Sequence, residues 1–143
     1  MRRERVPRRL VVGETVWLWS VGHTHTPGRT PFGPDYPDCR ELLTLRRADA
    51  RHAQLRLVFP TGEGRLASDG TGAAGTVGTP AGPDLNLHEP GVVRRLLEEA
   101  ESRGLLPVAH GTAEVDGWPL FDSVVAVQDP AQDLSGGSGS DGP

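Results

Sequence analysis

The chain has 143 residues, a formal charge of −4, 15 basic residues that are all arginine, and one cysteine. That length fits one domain able to bury a core without covalent staples. The lack of lysine excludes a phosphate-loop lysine, a pyridoxal Schiff base and a lysine general base, and the lone cysteine excludes an internal disulfide and a multi-cysteine zinc site.

Residues 1–9 read as a basic mobile arm. Leu10–Val12 and Thr15–Val21 read as two strands around Gly13-Glu14, a pair that a tight hairpin turn accepts. Trp17, Trp19 and Val21 share one side of the second strand and Val16 and Leu18 the other. Apolar groups on both sides predict an interior strand, or one covered on both sides. Residues 22–38 form a long loop crowded with Pro and Gly. Arg40–Arg46 and Ala53–Phe59 predict the next hairpin, with Leu43 and Leu45 on one face of the first strand and Leu55, Leu57 and Phe59 on one face of the second. Ala48–His52 turns the corner between them.

Residues 61–84 read as a Gly-rich loop, with Arg65–Ala67 or Thr76-Val77 adding a short edge strand. The clearest element follows. Pro90 suits a first helical position, and Glu89 stands at the positive end of the helix dipole. Val92, Val93, Leu96, Leu97 and Ala100 recur at helical spacing. Gly104 is placed as a left-handed C-cap, Leu105 folds back on Ala100, and Pro107 ends the run. Thr112–Val115 predicts a strand and Asp116-Gly117 a turn. Pro119, Leu120, Phe121, Val124 and Val125 then have helical spacing, although their β-branched content favours a strand; the spacing is followed here. Residues 129–143 read as a disordered tail. The expected architecture is α+β. It is a single domain over residues 10–128, with a mainly antiparallel sheet of four to five strands, one main helix on one face and a short C-terminal helix.

The opening pattern (Gly13, Val16, Trp17, Trp19, Val21) and the block from Leu85 to Arg103 resemble small single-domain bacterial proteins of GC-rich species, a group with no assigned activity. The matching motifs are structural. The resemblance implies no catalytic residues and no cofactor.

Four constellations carry chemical interest. His23 and His25 at i,i+2, with Cys39, offer nitrogen and sulfur donors suited to zinc or another late transition metal; Asp35 and Asp38 lie in the same loop. Glu98, Glu99 and Glu101 give the main helix an acidic outer face suited to a protein partner. Their order opposes the dipole, since Arg94 and Arg95 precede them. Arg2, Arg3, Arg5, Arg8 and Arg9 could grip phosphate. Gly62-x-Gly64-x-x-Ala67 and Gly70-x-Gly72-x-x-Gly75 spell a dinucleotide motif, but neither precedes a helix, so no helix N-terminus waits for a pyrophosphate. No serine sits in a nucleophile-elbow context. His88, beside Glu89 at the helix start, reads as a cap or surface residue rather than a general base.

Charge is unevenly spread. Five Arg and one Glu give residues 1–9 a net +4, six Arg against five acids give residues 10–60 +1, and four Arg against thirteen acids give residues 61–143 −9. A nucleic acid laid over the whole chain would be repelled by the second half. No apolar run reaches membrane-spanning length and no signal peptide precedes Leu10, so a cytoplasmic location is expected. The expected role is a non-catalytic protein-interaction, regulatory or immunity-like domain without a cofactor. The alternatives are a metal-dependent hydrolase built on His23, His25 and Cys39, and nucleic-acid binding through the arginine arm.

Overall fold

The computed structural model describes residues 7–24, 28–30, 33–35, 39–50, 52–62, 64–67, 75–80, 82–107 and 110–128, with the backbone alone at 28–30, 33–35 and 127–128. The elements in chain order are β1 (Arg8–Val12), β2 (Thr15–Thr24), β3 (Gly28–Thr30), β4 (Gly33–Asp35), β5 (Arg40–Arg47), β6 (Ala53–Pro60), β7 (Leu66–Ala67), β8 (Thr76–Gly78), β9 (Asp84–Asn86), α1 (Pro90–Ser102), β10 (Gly111–Asp116) and α2 (Trp118–Gln128).

The main sheet has five strands in the order β1-β2-β5-β6-β10. The first three pairings are antiparallel, and β10 lies parallel to β6. The fold is therefore α+β with a mixed, mostly antiparallel sheet. The parallel pair follows from connectivity: the return from β6 passes through β7, β8, β9 and α1 before β10 lines up along the sheet edge, and parallel strands need such a crossover. Gly13 turns the β1–β2 hairpin at φ +62°.

Period-2 patterning decides which face is buried. Trp17, Trp19, Val21, Leu43, Leu45, Leu55, Leu57 and Phe59 all point to one side and form the core with Val77, Leu85, Leu87, the buried stripe of α1, and Trp118, Leu120, Phe121 and Val124 of α2. This side is the inner face. The predicted tryptophan placement holds, with Trp17 6% and Trp19 1% exposed.

The main helix follows the local rules read from the sequence. Glu89 is its N-cap residue, without a side-chain cap bond, and Pro90 opens it. At its end Gly104 adopts φ +71°. The Gly104 N–H bonds to the Glu101 carbonyl at 3.0 Å and the Leu105 N–H to the Ala100 carbonyl at 2.9 Å. These two bonds are the Schellman arrangement, which satisfies carbonyls that the helix leaves unpaired.

Three expectations need correction. Arg8 and Arg9, read as part of the arm, belong to β1 and pair with Trp19 and Leu18, while residues 1–6 lie outside the described residues. The Gly-rich span 61–84 is not one loop. Arg65–Ala67 and Thr76-Val77 were alternative edge strands; both regions pair, with β8 central to a separate three-stranded sheet that also holds β9. Buried Ala67, Val77 and Leu85 anchor that sheet to the core. The loop at 22–38 begins later, since β2 continues to Thr24, and it contains the β3–β4 ladder. The expected C-terminal helix is present as α2. It runs for eleven residues, started by the Asp116 carboxylate, which accepts the Trp118 N–H at 3.1 Å. Residues 129–143 lie outside the described residues.

Aromatic packing sets the seat of α2. Trp118 meets Phe59 and Phe121 edge to face at centroid distances of 5.4 and 5.0 Å, and its Nε1–H donates to the Pro60 carbonyl at 2.9 Å. Gly117 is required where it stands, because a Cβ there would lie 2.5 Å from two Phe59 ring carbons. Among the described residues no helix is long and apolar enough to cross a membrane.

Candidate functional site

The inner face of the main sheet has two ends, and each gathers chemistry. At one end the β1–β2 turn, the end of β5 and the C-terminal half of α1 enclose a cavity of about 550 Å³. That size falls within the roughly 300–1,000 Å³ of ligand pockets. Trp17 and Leu97 form apolar walls with Val12 and Leu106, while Arg47, Glu98 and Glu101 supply the charged lining. Local structure places each of these. Arg47 lies directly opposite Trp17 in the β2–β5 register. Glu98 and Glu101 stand three residues apart, one helical turn, and so share a flank of α1 next to Leu97.

The cavity's charges are unequally matched. Arg47 reaches Asp49 at 3.0 Å and Arg94 reaches Glu98 at 3.1 Å, both between exposed side chains. Such pairs are worth about 0–1 kcal/mol and leave either partner free to exchange. Glu101 is in no ion pair among the described residues. The lining is thus an apolar floor with a net acidic edge.

Of the three helix carboxylates picked out from the sequence, Glu98 and Glu101 line this cavity and Glu99 does not. Glu99 accepts from Arg103 Nε at 2.8 Å, and Arg103 Nη2 donates to Ser123 Oγ at 2.8 Å. That chain of contacts ties α1 to α2, so Glu99 serves the fold. Arg47 is the member that sequence reading missed, and Trp17 was read there as a core residue rather than a stacking platform. Their meeting depends on the β2–β5 register, which is invisible without knowing that β5 pairs with β2.

At the other end of the same face His23 and Glu41 stand opposite each other in register. His23 Nδ1 lies 2.5 Å from Glu41 Oε2; the Glu41 side chain is 1% exposed and that of His23 28%. Glu41 was not recognised from sequence, although it could have been: it continues the alternation Glu41, Leu43, Leu45 onto the buried face. A buried carboxylate needs charged or hydrogen-bonding partners, and His23 supplies one. Cys39 is buried two positions before Glu41, and its carbonyl accepts from the Thr61 hydroxyl at 2.7 Å. His23, near the end of β2, and Cys39, just before β5, lie toward the same end of these two paired strands. The third proposed ligand, His25, lies outside the described residues, as do Asp38 and the side chain of Asp35. Among the described residues no group of three His, Cys, Asp or Glu side chains could hold a metal ion.

The arginine arm divides. Arg2, Arg3 and Arg5 lie outside the described residues. Arg8 donates to the His88 carbonyl at 2.8 Å and stacks 4.5 Å above the Trp19 ring; both contacts hold β1 to the body of the domain. Arg9 points to the opposite side of the sheet and is exposed. His88 lies against Gly75, where a Cβ would come within 2.5 Å of the imidazole, and its own N–H donates to Asn86 Oδ1 at 2.9 Å. It is a half-buried turn residue, and Glu89 rather than His88 holds the N-cap position of α1.

A further charged cluster joins β7 and α2. Arg65 grips Asp122 with two bonds of 2.8 and 2.9 Å and stacks 4.8 Å above Trp118. The hydrogen bond between them is the main reason that the Asp122 carboxyl is held below the ordinary carboxylate range and the Arg65 guanidinium above its own.

Comparison with protein-family models, curated proteins and solved structures finds no match.

Proposed function

We propose that the chain is a non-catalytic protein-interaction domain of regulatory or immunity type, and that its partner seats a basic side chain in the cavity beside α1. The observation that carries this reading is the pairing of an apolar floor, Trp17 and Leu97, with the carboxylate of Glu101 at the edge, which is in no ion pair among the described residues. An arginine or lysine suits such a site, because its methylene stem covers apolar surface while its head stays with the carboxylates. The indole of Trp17 adds attraction for a cation that reaches its face. No cofactor is part of this reading, and a cytoplasmic setting belongs to it.

The test is capture of a host protein by the wild type and by the Glu98→Arg/Glu101→Arg double variant, with a photo-crosslinker placed at exposed Glu101 in a separate sample. A partner that crosslinks from this position and is lost on charge reversal, at unchanged thermal stability, is the expected result. A partner retained equally by the double variant would refute the cavity as its seat. Stoichiometric zinc in untagged protein, lost in His25→Ala, would put the metal-dependent hydrolase reading in its place.

A further inference from the structure

The main sheet has a second face, and no described element of the fold contributes to a core there. Every main-sheet residue in the core cluster is an inner-face residue. The outer face carries Val16, Leu18, Leu42 and Val58 among arginines Arg9, Arg46 and Arg56. The registers place Leu18 beside Arg46, and Leu42 beside Val58. Leu18 and Leu42 are half-buried, and exposed Val11 extends the apolar strip toward the β1 edge.

The arginines on this face are poorly satisfied. Arg46 Nε and Arg56 Nε are buried and have no hydrogen-bond acceptor. Arg56 pairs with exposed Glu114 through Nη1 at 3.2 Å, which leaves its Nε unused. Arg46 and Arg9 are in no ion pair among the described residues. Buried donors without acceptors are rare and costly in native proteins. Here they occur twice, in adjacent strands of one open sheet face.

We propose that this face docks an acidic polypeptide segment in which carboxylates alternate with aliphatic side chains. Carboxylates are selected because a guanidinium is a planar cation that donates to them in pairs. Aliphatic neighbours are selected because partly exposed Leu18 and Leu42 lie among the arginines beside buried Val58 and would otherwise stay wet. A single-stranded nucleic acid matches the charge but not the chemistry, because among the described residues no aromatic ring stands on this face to stack a base. Charge on the whole molecule points the same way. The basic first 60 residues supply four strands of this sheet, whereas the acidic remainder supplies the helices behind it, so an acidic partner is steered to the sheet side. This surface is separate from the cavity beside α1 and does not rest on the reading of that cavity.

The test uses the full chain and a dye-labelled synthetic peptide of alternating Glu and Val, read by fluorescence anisotropy. A Gln-for-Glu peptide and oligothymidylate are run alongside. Saturable binding of the acidic peptide is expected. It should weaken about tenfold or more in Arg46→Gln/Arg56→Gln, the range for lost hydrogen bonds to charged groups, and stay unchanged in Glu98→Arg/Glu101→Arg. Methyl resonances of Leu18, Leu42 and Val58 in the wild type should shift on addition of the peptide, a readout that needs no variant to fold. No saturable binding, equal binding of the Gln peptide or the oligonucleotide, or methyl shifts confined to the inner face would overturn the proposal.

Discussion

His23 and Glu41 face each other across β2 and β5, with the imidazole Nδ1 2.5 Å from a carboxylate oxygen that is closed off from solvent. The pair stands on the same face as Trp17 and Trp19, where an isolated carboxylate would be out of place. Removing either partner has unequal consequences. His23→Ala takes away a partner of a buried acceptor and is expected to cost about 1–3 kcal/mol. Glu41→Leu removes the buried charge itself and continues the Leu43, Leu45 series, so its cost should be smaller. Urea unfolding of the two variants decides this, with a larger loss for Glu41→Leu as the contrary result.

Gly117 and Phe59 are in tighter contact than any side chain at position 117 allows. Gly117→Ala would drive its methyl into the Phe59 ring, and overpacking of this kind costs about 1–3 kcal/mol. Phe59→Leu alone should also destabilise, by lost volume and lost contact with Trp118. In the double variant the clash is relieved, so the two losses should sum to more than the measured effect. A double-mutant cycle in urea checks this coupling; simple additivity would show that the contact relaxes elsewhere.

Arg65 and Asp122 give α2 an acid-sensitive fastening. The folded Asp122 carboxyl is held below its ordinary value, chiefly by the hydrogen bond from Arg65. It therefore stays ionised at a pH where the unfolded chain already takes up a proton. The pair's stabilisation is full above roughly pH 4, the ordinary Asp range, and fades as pH falls through the lowered folded value. Asp122 is 54% exposed, so solvent screening keeps the effect to about 1 kcal/mol or less. Wild type should exceed Asp122→Asn in unfolding free energy at neutral pH and lose that lead progressively as pH falls below the ordinary Asp range. A lead that persists in acid would assign the effect to packing instead.

Arg8 fixes an edge strand by two contacts at once, a bond to the His88 carbonyl and a stack on Trp19. Arg8→Ala is expected to cost about 1–2 kcal/mol and to speed amide exchange in β1 more than in β5. Uniform exchange across both strands would mean that the strand is held by its ladder alone.

What local sequence governs was readable. The stripe Val92, Val93, Leu96, Leu97, Ala100 is the buried face of α1, and Pro90 and Gly104 bracket that helix, because caps and periodicity act within a few residues. The alternation in β2, β5 and β6 gave the inner face correctly, since a strand can bury only every second side chain without a second layer. The Val124-Val125 segment was harder, because its β-branched residues are compatible with either state. The Asp116 carboxylate and the seat against Phe59 decide in favour of helix, and the second of these is a contact between distant parts of the chain.

An α+β chain with one amphipathic helix, a tryptophan-bearing strand, no lysine chemistry and a basic front with an acidic back can be read from residue order alone. Packing sets the rest: β10 runs parallel to β6, Glu41 is buried against His23, Trp17, Arg47 and Glu101 share one cavity, and arginines crowd the sheet face turned away from the helices. The reason is physical. Propensity, capping and period act over a turn or a strand, whereas register, cavity lining and charge satisfaction depend on which distant segments meet.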